Sequence, residues 1–355
     1  MKKVLIIGNQ GYLGSRMTDY LKGFGYDCTG ADMGFFRTGL LTDSEPVAML
    51  EKEARTVTES DIEKFDVVLQ LAGISNDPFG NLKPELIYDP TREYALRIAK
   101  MCKKLGVRFI FPSSCSVYGL GGNGLLDENG PVSPQTGYSL NKIQIEEDLA
   151  GIADADFSPI ALRLATVFGF SPRIRFDVVI NMLSGMAVAE KRVILNSNGE
   201  AWRPHLYIDD VCEAFRCCIE WDYNDGKLMI LNVGRNDNNL RILDVAKMIQ
   251  QLEPGCSLSF LGQSEDQTVD DLVKDRKIND GVDKRNYQVS FDKIANLLPG
   301  FTCKWTVESG IEQLLKDLHN CGLDKPKFKQ REFYRLQQIE FLYNNGQLNE
   351  LLQWR

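Results

Sequence analysis

The chain has 355 residues, 43% hydrophobic and 25% charged, enough apolar material for one large or two ordinary domains with a real core. A net charge of -8 with no basic patch argues against nucleic acid as a partner. Nine scattered cysteines without a CxxC pair read as reduced thiols of a cytoplasmic protein, and no apolar stretch is long enough for an export signal or a membrane span.

Lys3 to Ile7 (KVLII) is a short apolar run of the kind buried on both faces of a parallel sheet. It runs straight into GNQGYLG, with Gly8, Gly11 and Gly14, and a helix-like segment from Ser15 to Phe24 comes next. Strand, glycine turn and helix together form a pyrophosphate cradle, because the helix N-terminus offers free N–H groups to an anion. The expected cofactor contacts in this turn are Gly8, Gln10, Gly11, Tyr12, Leu13 and Gly14. A second strand, Tyr26 to Ala31, ends at Asp32, about twenty residues after the glycines, where a carboxylate accepts from an adenosine ribose hydroxyl and repels a 2′-phosphate. That favours NAD over NADP, although the nearby Arg37 is what a 2′-phosphate would want.

The sequence then predicts a helix around Glu45 to Glu53 and a third strand near Ala54 to Val57. Phe65 to Leu71 is another buried strand, and Leu71, Ala72 and Gly73 end it with small residues that let a backbone approach a ligand. The loop SNDPFGN leads to an amphipathic helix from Pro90 to Leu105. Next, a buried strand from Val107 to Phe111 delivers the hydroxyls of SSCS, a Gly-rich loop comes after it, and TGYSLNK opens a helix. On that helix Tyr138 and Lys142, four residues apart, share one face. A lysine near a phenol favours phenolate, and a serine hydroxyl can share the same substrate oxygen, so the group suits moving one proton on or off a sugar or alcohol hydroxyl.

Strands and helices alternate through the first 145 residues, which argues an α/β fold with a doubly wound parallel sheet. Ser158 to Leu164 adds a sixth strand, and beyond it the alternation loosens into a loop-forming segment, Thr166 to Asp177, that carries Arg173 and Arg175. Residues 1–165 are read as the cofactor domain, 166–320 as mostly substrate-binding and partly interleaved, and 321–355 as a helical extension. The extension, REFYRLQQIEFLYNNGQLNELLQW after a basic linker, has apolar residues at helical spacing and reads as a packing or subunit-contact helix. His205, between Pro204 and an apolar run, reads as structural and His319 as a surface residue; with no ligand spacing among Cys, His, Asp and Glu, no metal is expected.

With the GxxGxxG turn, Asp32, Leu71-Ala72-Gly73, SSCSVYG and Tyr138-Ser-Leu-Asn-Lys142 in this order, residues 1–320 resemble the extended short-chain dehydrogenase/reductases. More narrowly, the chain is similar to the NAD-dependent sugar-nucleotide epimerases, dehydratases and dehydrogenases, in a branch that includes bacterial GDP-heptose 4-dehydrogenase. The resemblance implies a Rossmann fold, NAD as cofactor, a nucleotide-diphosphate sugar as substrate and a homodimer. It implies catalysis by Ser114, Tyr138 and Lys142, with Tyr138 and Lys142 also on the cofactor, and places Arg203 and Arg285 on the substrate diphosphate, where each could instead pair with Asp209, Asp210 or Asp283; Ser114, Ser116, Arg173 and Arg175 are further candidates for the substrate. Two departures stand out at the cofactor side: Thr91 where relatives often carry Asn, and Glu53 where an Asp is usual.

The shared first step is oxidation of a sugar hydroxyl, usually at C4, and the fate of the ketone decides the activity. A 4,6-dehydratase of the family carries Asp and Glu directly after the triad serine or threonine; here those positions are Cys115 and Ser116. The expected function is therefore an epimerase acting through a transient 4-keto sugar. The alternative is a 4-dehydrogenase that releases the ketone, with a dehydratase or a non-catalytic dinucleotide-sensing scaffold ranked below.

Overall fold

The computed structural model describes residues 1–44, 46–74, 88–260 and 285–355. The first half of the chain alternates strand and helix, as its apolar runs require. In chain order the strands are β1 (Lys3–Ile7), β2 (Asp27–Ala31), β3 (Ala48–Leu50), β4 (Val67–Gln70), β5 (Arg108–Ser114), β6 (Leu120–Leu126) and β7 (Ile160–Leu164). After them come β8 (Thr166–Phe168), β9 (Arg192–Leu195), β10 (Trp202–Tyr207), β11 (Met229–Val233), β12 (Asn239–Arg241), β13 (Ser257–Phe260) and β14 (Asn286–Val289).

Seven of them form one parallel sheet in the order β11-β7-β5-β4-β1-β2-β3. Because successive side chains of a strand face opposite ways, Val4 and Ile6 enter one core beneath the sheet, while Leu5 and Ile7 enter another with the helix Tyr88–Leu105. Fully burying such an aliphatic side chain contributes roughly 1.5–3 kcal/mol, which is why four consecutive aliphatics are read reliably as a central strand. The chain moves outward from β1 to β2 and β3, then returns to β4 and continues the other way. The reversal leaves a crevice at the carboxyl ends of β1 and β4, the place where ligands bind in open α/β sheets.

β11 completes this sheet from within the region assigned to substrate binding, so the two regions are interleaved through a strand. The rest forms small sheets, β12-β10-β8, β13-β9 and β14-β6, with a third core between the helices Val179–Glu190, Ile242–Leu252 and Val307–Asn320.

Two expectations need correction. The third strand is Ala48–Leu50, parallel to β2, where a helix was expected; Glu53 to Thr56 is a turn, held by the Glu53 carbonyl and the Thr56 N–H. A three-residue edge strand is too short to show any period, and the acidic residues around it imitate a helix surface. The Gly-rich segment after Tyr118 is strand β6, parallel to β14. A Cβ on Gly121 would lie 2.6 Å from that of Tyr287, so glycine there permits a close crossing instead of a loop. SNDPFGN, Glu45 and Asp283 lie outside the described residues.

Candidate active site

The glycine turn is built by steric necessity. Gly8 has φ 96°, and a Cβ there would stand 2.6 Å from the Ala72 nitrogen, so β1 and β4 can meet at the crevice only with hydrogen in that place. A Cβ on Gly14 would come 2.1 Å from the Gly8 carbonyl oxygen. The helix Tyr12–Gly23 starts from Gly11 with no side-chain cap and no acid in its first turn, which leaves its N–H groups for an incoming anion. Asp32 comes directly after β2 and is tied to this turn: its carboxylate accepts the Gln10 N–H at 2.9 Å and the Gly34 N–H at 2.7 Å. Burial pushes its carboxyl up, opposed by those two N–H groups and by the charges of Arg173 and Arg335. The Tyr12 hydroxyl donates to Gly169 and the Leu13 side chain joins the core, so these two serve the turn as anchors, with their backbone left to face a ligand. Across the crevice the Ala72 carbonyl accepts from Gln70 and Tyr94, and Gly73 lies against Thr91.

At the next strand end, Ser114 closes β5 and starts a short 3-10 turn, its hydroxyl accepting the Ser116 N–H at 3.2 Å. The Ser116 hydroxyl is buried and has no hydrogen-bond partner among the described residues. Tyr138 and Lys142 lie in the first and second turns of the helix Gly137–Ile152, which a Thr136–Ser139 capping box fixes in place. Lys142 is 8% exposed; its ammonium donates to the Pro112 carbonyl at 2.7 Å and sits 5.4 Å from the centre of the Tyr138 ring. Burial pulls its pKa down to about 7, with Glu146 acting in the opposite direction. Cys115 turns into the core, where its thiol donates to the Arg163 carbonyl and burial raises its pKa far above neutrality. It is unfit as an acid or base.

The model of the NAD dependent epimerase/dehydratase family matches residues 4–234. The chain belongs to this family. Its cofactor is NAD, and the glycine cradle and the Asp32 carboxylate fit that dinucleotide. The fold is shared with the NAD-dependent NDP-hexosamine 5,6-dehydratase TunA of tunicamycin biosynthesis, at 19% identity and TM-score 0.73 over 90% of this chain and 98% of that one. It is shared too with the UDP-glucose 4-epimerase of Thermotoga maritima, at 19% identity and TM-score 0.71 over 90% and 99%. A third match is the UDP-glucuronic acid 4-epimerase of Bacillus cereus in complex with NAD, at 20% identity and TM-score 0.71 over 90% and 99%.

In this family member the predicted arginines fall into two groups. Arg203 on β10 donates to the carbonyl oxygens of Trp202 and Arg285 and lies over the Tyr287 ring, which joins two positions far apart in sequence. Arg173 and Arg175 stand elsewhere, beside the glycine turn. Ser171, just before them, donates to the Tyr12 carbonyl at 2.7 Å, and Arg175 pairs with Asp177 at 2.6 Å close to Tyr138.

A buried polar row escaped the sequence reading. Strand register places Ser113, Arg163 and Asn232 side by side on β5, β7 and β11. Glu146, one turn beyond Lys142, accepts from Ser113 at 2.5 Å and from Arg163 at 2.7 Å, and Arg163 also donates to the Tyr118 hydroxyl at 3.0 Å. The available signal was a Glu four residues after the lysine on the same helix face. His205, by contrast, is fully buried with neither ring nitrogen hydrogen-bonded among the described residues, and burial pushes its pKa down to about 3. His319 is half-exposed and bonded to Glu253. No cluster of possible metal ligands exists among the described residues, and no described helix is long and apolar enough to cross a membrane.

Proposed function

We propose that this enzyme is an NAD-dependent sugar-nucleotide epimerase that works through a transient 4-keto sugar. The reading is supported by Lys142, which lies 5.4 Å from the Tyr138 ring centre and bonds the carbonyl of Pro112, two residues before Ser114, and by the two residues after Ser114, a buried thiol and a hydroxyl and not a pair of acids. Bound NAD supplies a reversible hydride acceptor. Tyr138 takes the proton of the sugar hydroxyl and later returns it. Lys142 stabilises the phenolate; an ammonium near pKa 7 can do so in the working pH range, and its bond to the Pro112 carbonyl holds it in place. Ser114 holds the substrate oxygen, and the Ser116 hydroxyl, without a partner among the described residues, is a second donor to the sugar. Arg203 and Arg285 suit the nucleotide diphosphate, as guanidinium groups match paired phosphates. A cytoplasmic homodimer belongs to the same reading, supported by nine free thiols and the family resemblance.

The test is incubation with a panel of nucleotide hexoses and heptoses, with the products identified by NMR. A C4-inverted sugar without net NADH is the expected product, and Tyr138→Phe abolishes its formation. A 4-keto product whose yield rises with added 2-oxo acid would instead make the enzyme a 4-dehydrogenase. Turnover undiminished in Tyr138→Phe would remove the catalytic assignment altogether.

A further inference from the structure

Two arginines beside the glycine turn are buried without an ion-pair partner among the described residues. Arg173, 8% exposed, donates to the carbonyl oxygens of Phe36 and Arg37 at 2.7 Å each. Arg335, 6% exposed, opens the helix Arg335–Asn344 of the C-terminal extension; it donates to the carbonyl oxygens of Arg173 at 2.9 Å and Glu332 at 3.3 Å and stacks 4.1 Å from the Phe36 ring centre. The nearby acids are engaged elsewhere. Asp177 is occupied with Arg175 and with the Arg335 backbone N–H, and both oxygens of Asp32 accept backbone N–H groups. Burial works against both cations, drawing Arg335 down to about 9 with Arg175 and Arg173 adding to the effect, while the carboxylates of Asp177 and Asp32 act in the opposite direction without a side-chain hydrogen bond to either arginine. Two buried guanidinium groups whose side-chain hydrogen bonds run only to carbonyl oxygens are stabilised further by an anion that bonds them directly.

Their position says which anion. The backbone N–H of Arg173 donates to the Ser171 hydroxyl, which is bonded to Tyr12 and Ser15 in the first turn of the helix that receives the dinucleotide's phosphates. The extension that carries Arg335 continues along the same crevice. Gln338 donates to the Phe35 carbonyl, Trp354 to that of Met33, and the apolar side chains of Ile339 and Leu342 share a cluster with Phe35, Tyr88 and Tyr138. The tail thus runs from the loop after β2, on the adenosine side, to the catalytic tyrosine.

We propose that the C-terminal segment 331–354 is the outer wall of the NAD cleft, and that Arg335 together with Arg173 holds the pyrophosphate of the cofactor. The inference rests on NAD as cofactor and is independent of which sugar is turned over. It gives the extension a role in cofactor retention.

The test is calorimetric binding of adenosine, ADP, NADH and NADPH to the full chain freed of nucleotide, in wild type, Arg335→Gln and Arg173→Gln. A charge-assisted phosphate contact predicts that ADP and NADH weaken about tenfold or more in each variant, while adenosine changes by less than about twofold. Arg335→Lys recovers part of the ADP affinity because it keeps the charge. Equal weakening of adenosine and ADP would mean that Arg335 only anchors the tail, and unchanged ADP affinity would mean that it touches no phosphate; either overturns the proposal. A loss confined to NADPH would move the pair to a 2′-phosphate and overturn it as well. Arg173→Gln leaves the backbone acceptor of Arg335 in place, so it decides the matter if Arg335→Gln fails to fold. A wild-type chain that binds neither NADH nor ADP would sink the cofactor assignment and this proposal with it.

Discussion

Replacing Glu146 by Gln keeps the shape of the side chain and removes its charge, which isolates the electrostatic work of the buried row beneath Lys142. The Arg163 guanidinium, 4% exposed, would then keep a neutral amide and the Tyr118 hydroxyl as partners. A charge pair in contact is worth about 4 kcal/mol at the effective dielectric suited to protein sites, and breaking buried pairs costs about 3–5 kcal/mol. Loss of about 4 kcal/mol is therefore expected for Glu146→Gln, read as a lower urea midpoint with unchanged m-value. Arg163→Met should cost a similar amount, whereas the double variant should cost far less than the sum, because the second substitution removes the ion that the first left unpaired. A second consequence reaches the active site. Glu146 acts to raise the pKa of Lys142, so without it Lys142 loses its proton at lower pH and the alkaline limb of NADH binding or turnover moves downward. Additive losses in the urea cycle, or a Glu146→Gln variant within about 0.5 kcal/mol of wild type, would refute the account of this row as a coupled buried charge pair.

Two further outcomes rest on single observations. Gly14→Ala places a methyl 2.1 Å from the Gly8 carbonyl and 2.7 Å from the Asn9 Cα, both backbone atoms that cannot yield; NADH affinity should fall at least tenfold by titration, while Gly23→Ala, where the methyl meets nothing within 4 Å, leaves it unchanged. His205 stays neutral in the native state down to about pH 3 but is protonated near 6.5 when unfolded, so the unfolded chain binds the extra proton between those values and stability falls as pH drops through that window, by about 1.4 kcal/mol per unit. His205→Leu should remove that slope at little cost at neutral pH, because both ring nitrogens lack partners among the described residues. Denaturation of both proteins at pH 5.5 and 4.5 checks this, and parallel losses would exclude His205 as the source.

The residues alone made legible whatever depends on near neighbours in sequence. Four aliphatics in a row, a glycine turn and the helix after it define β1 and its cradle locally, and the spacing of Tyr138 and Lys142 puts them on one face of whatever helix they occupy. Short or irregular pieces were not legible in this way. β3 has three residues and β6 consists largely of glycine and leucine, and each exists because a partner strand, β2 or β14, satisfies its backbone. Only the tertiary structure decided the company of the charged side chains. Register across β5, β7 and β11 created the Ser113–Arg163–Asn232 row on which Glu146 rests, and chain return over some 160 residues brought Arg335 to Arg173 and both to Phe36 in the loop after β2. Sequence order carries periodicity, which sets local shape; burial and charge pairing are properties of contacts between distant segments, and those exist only once the chain has closed on itself.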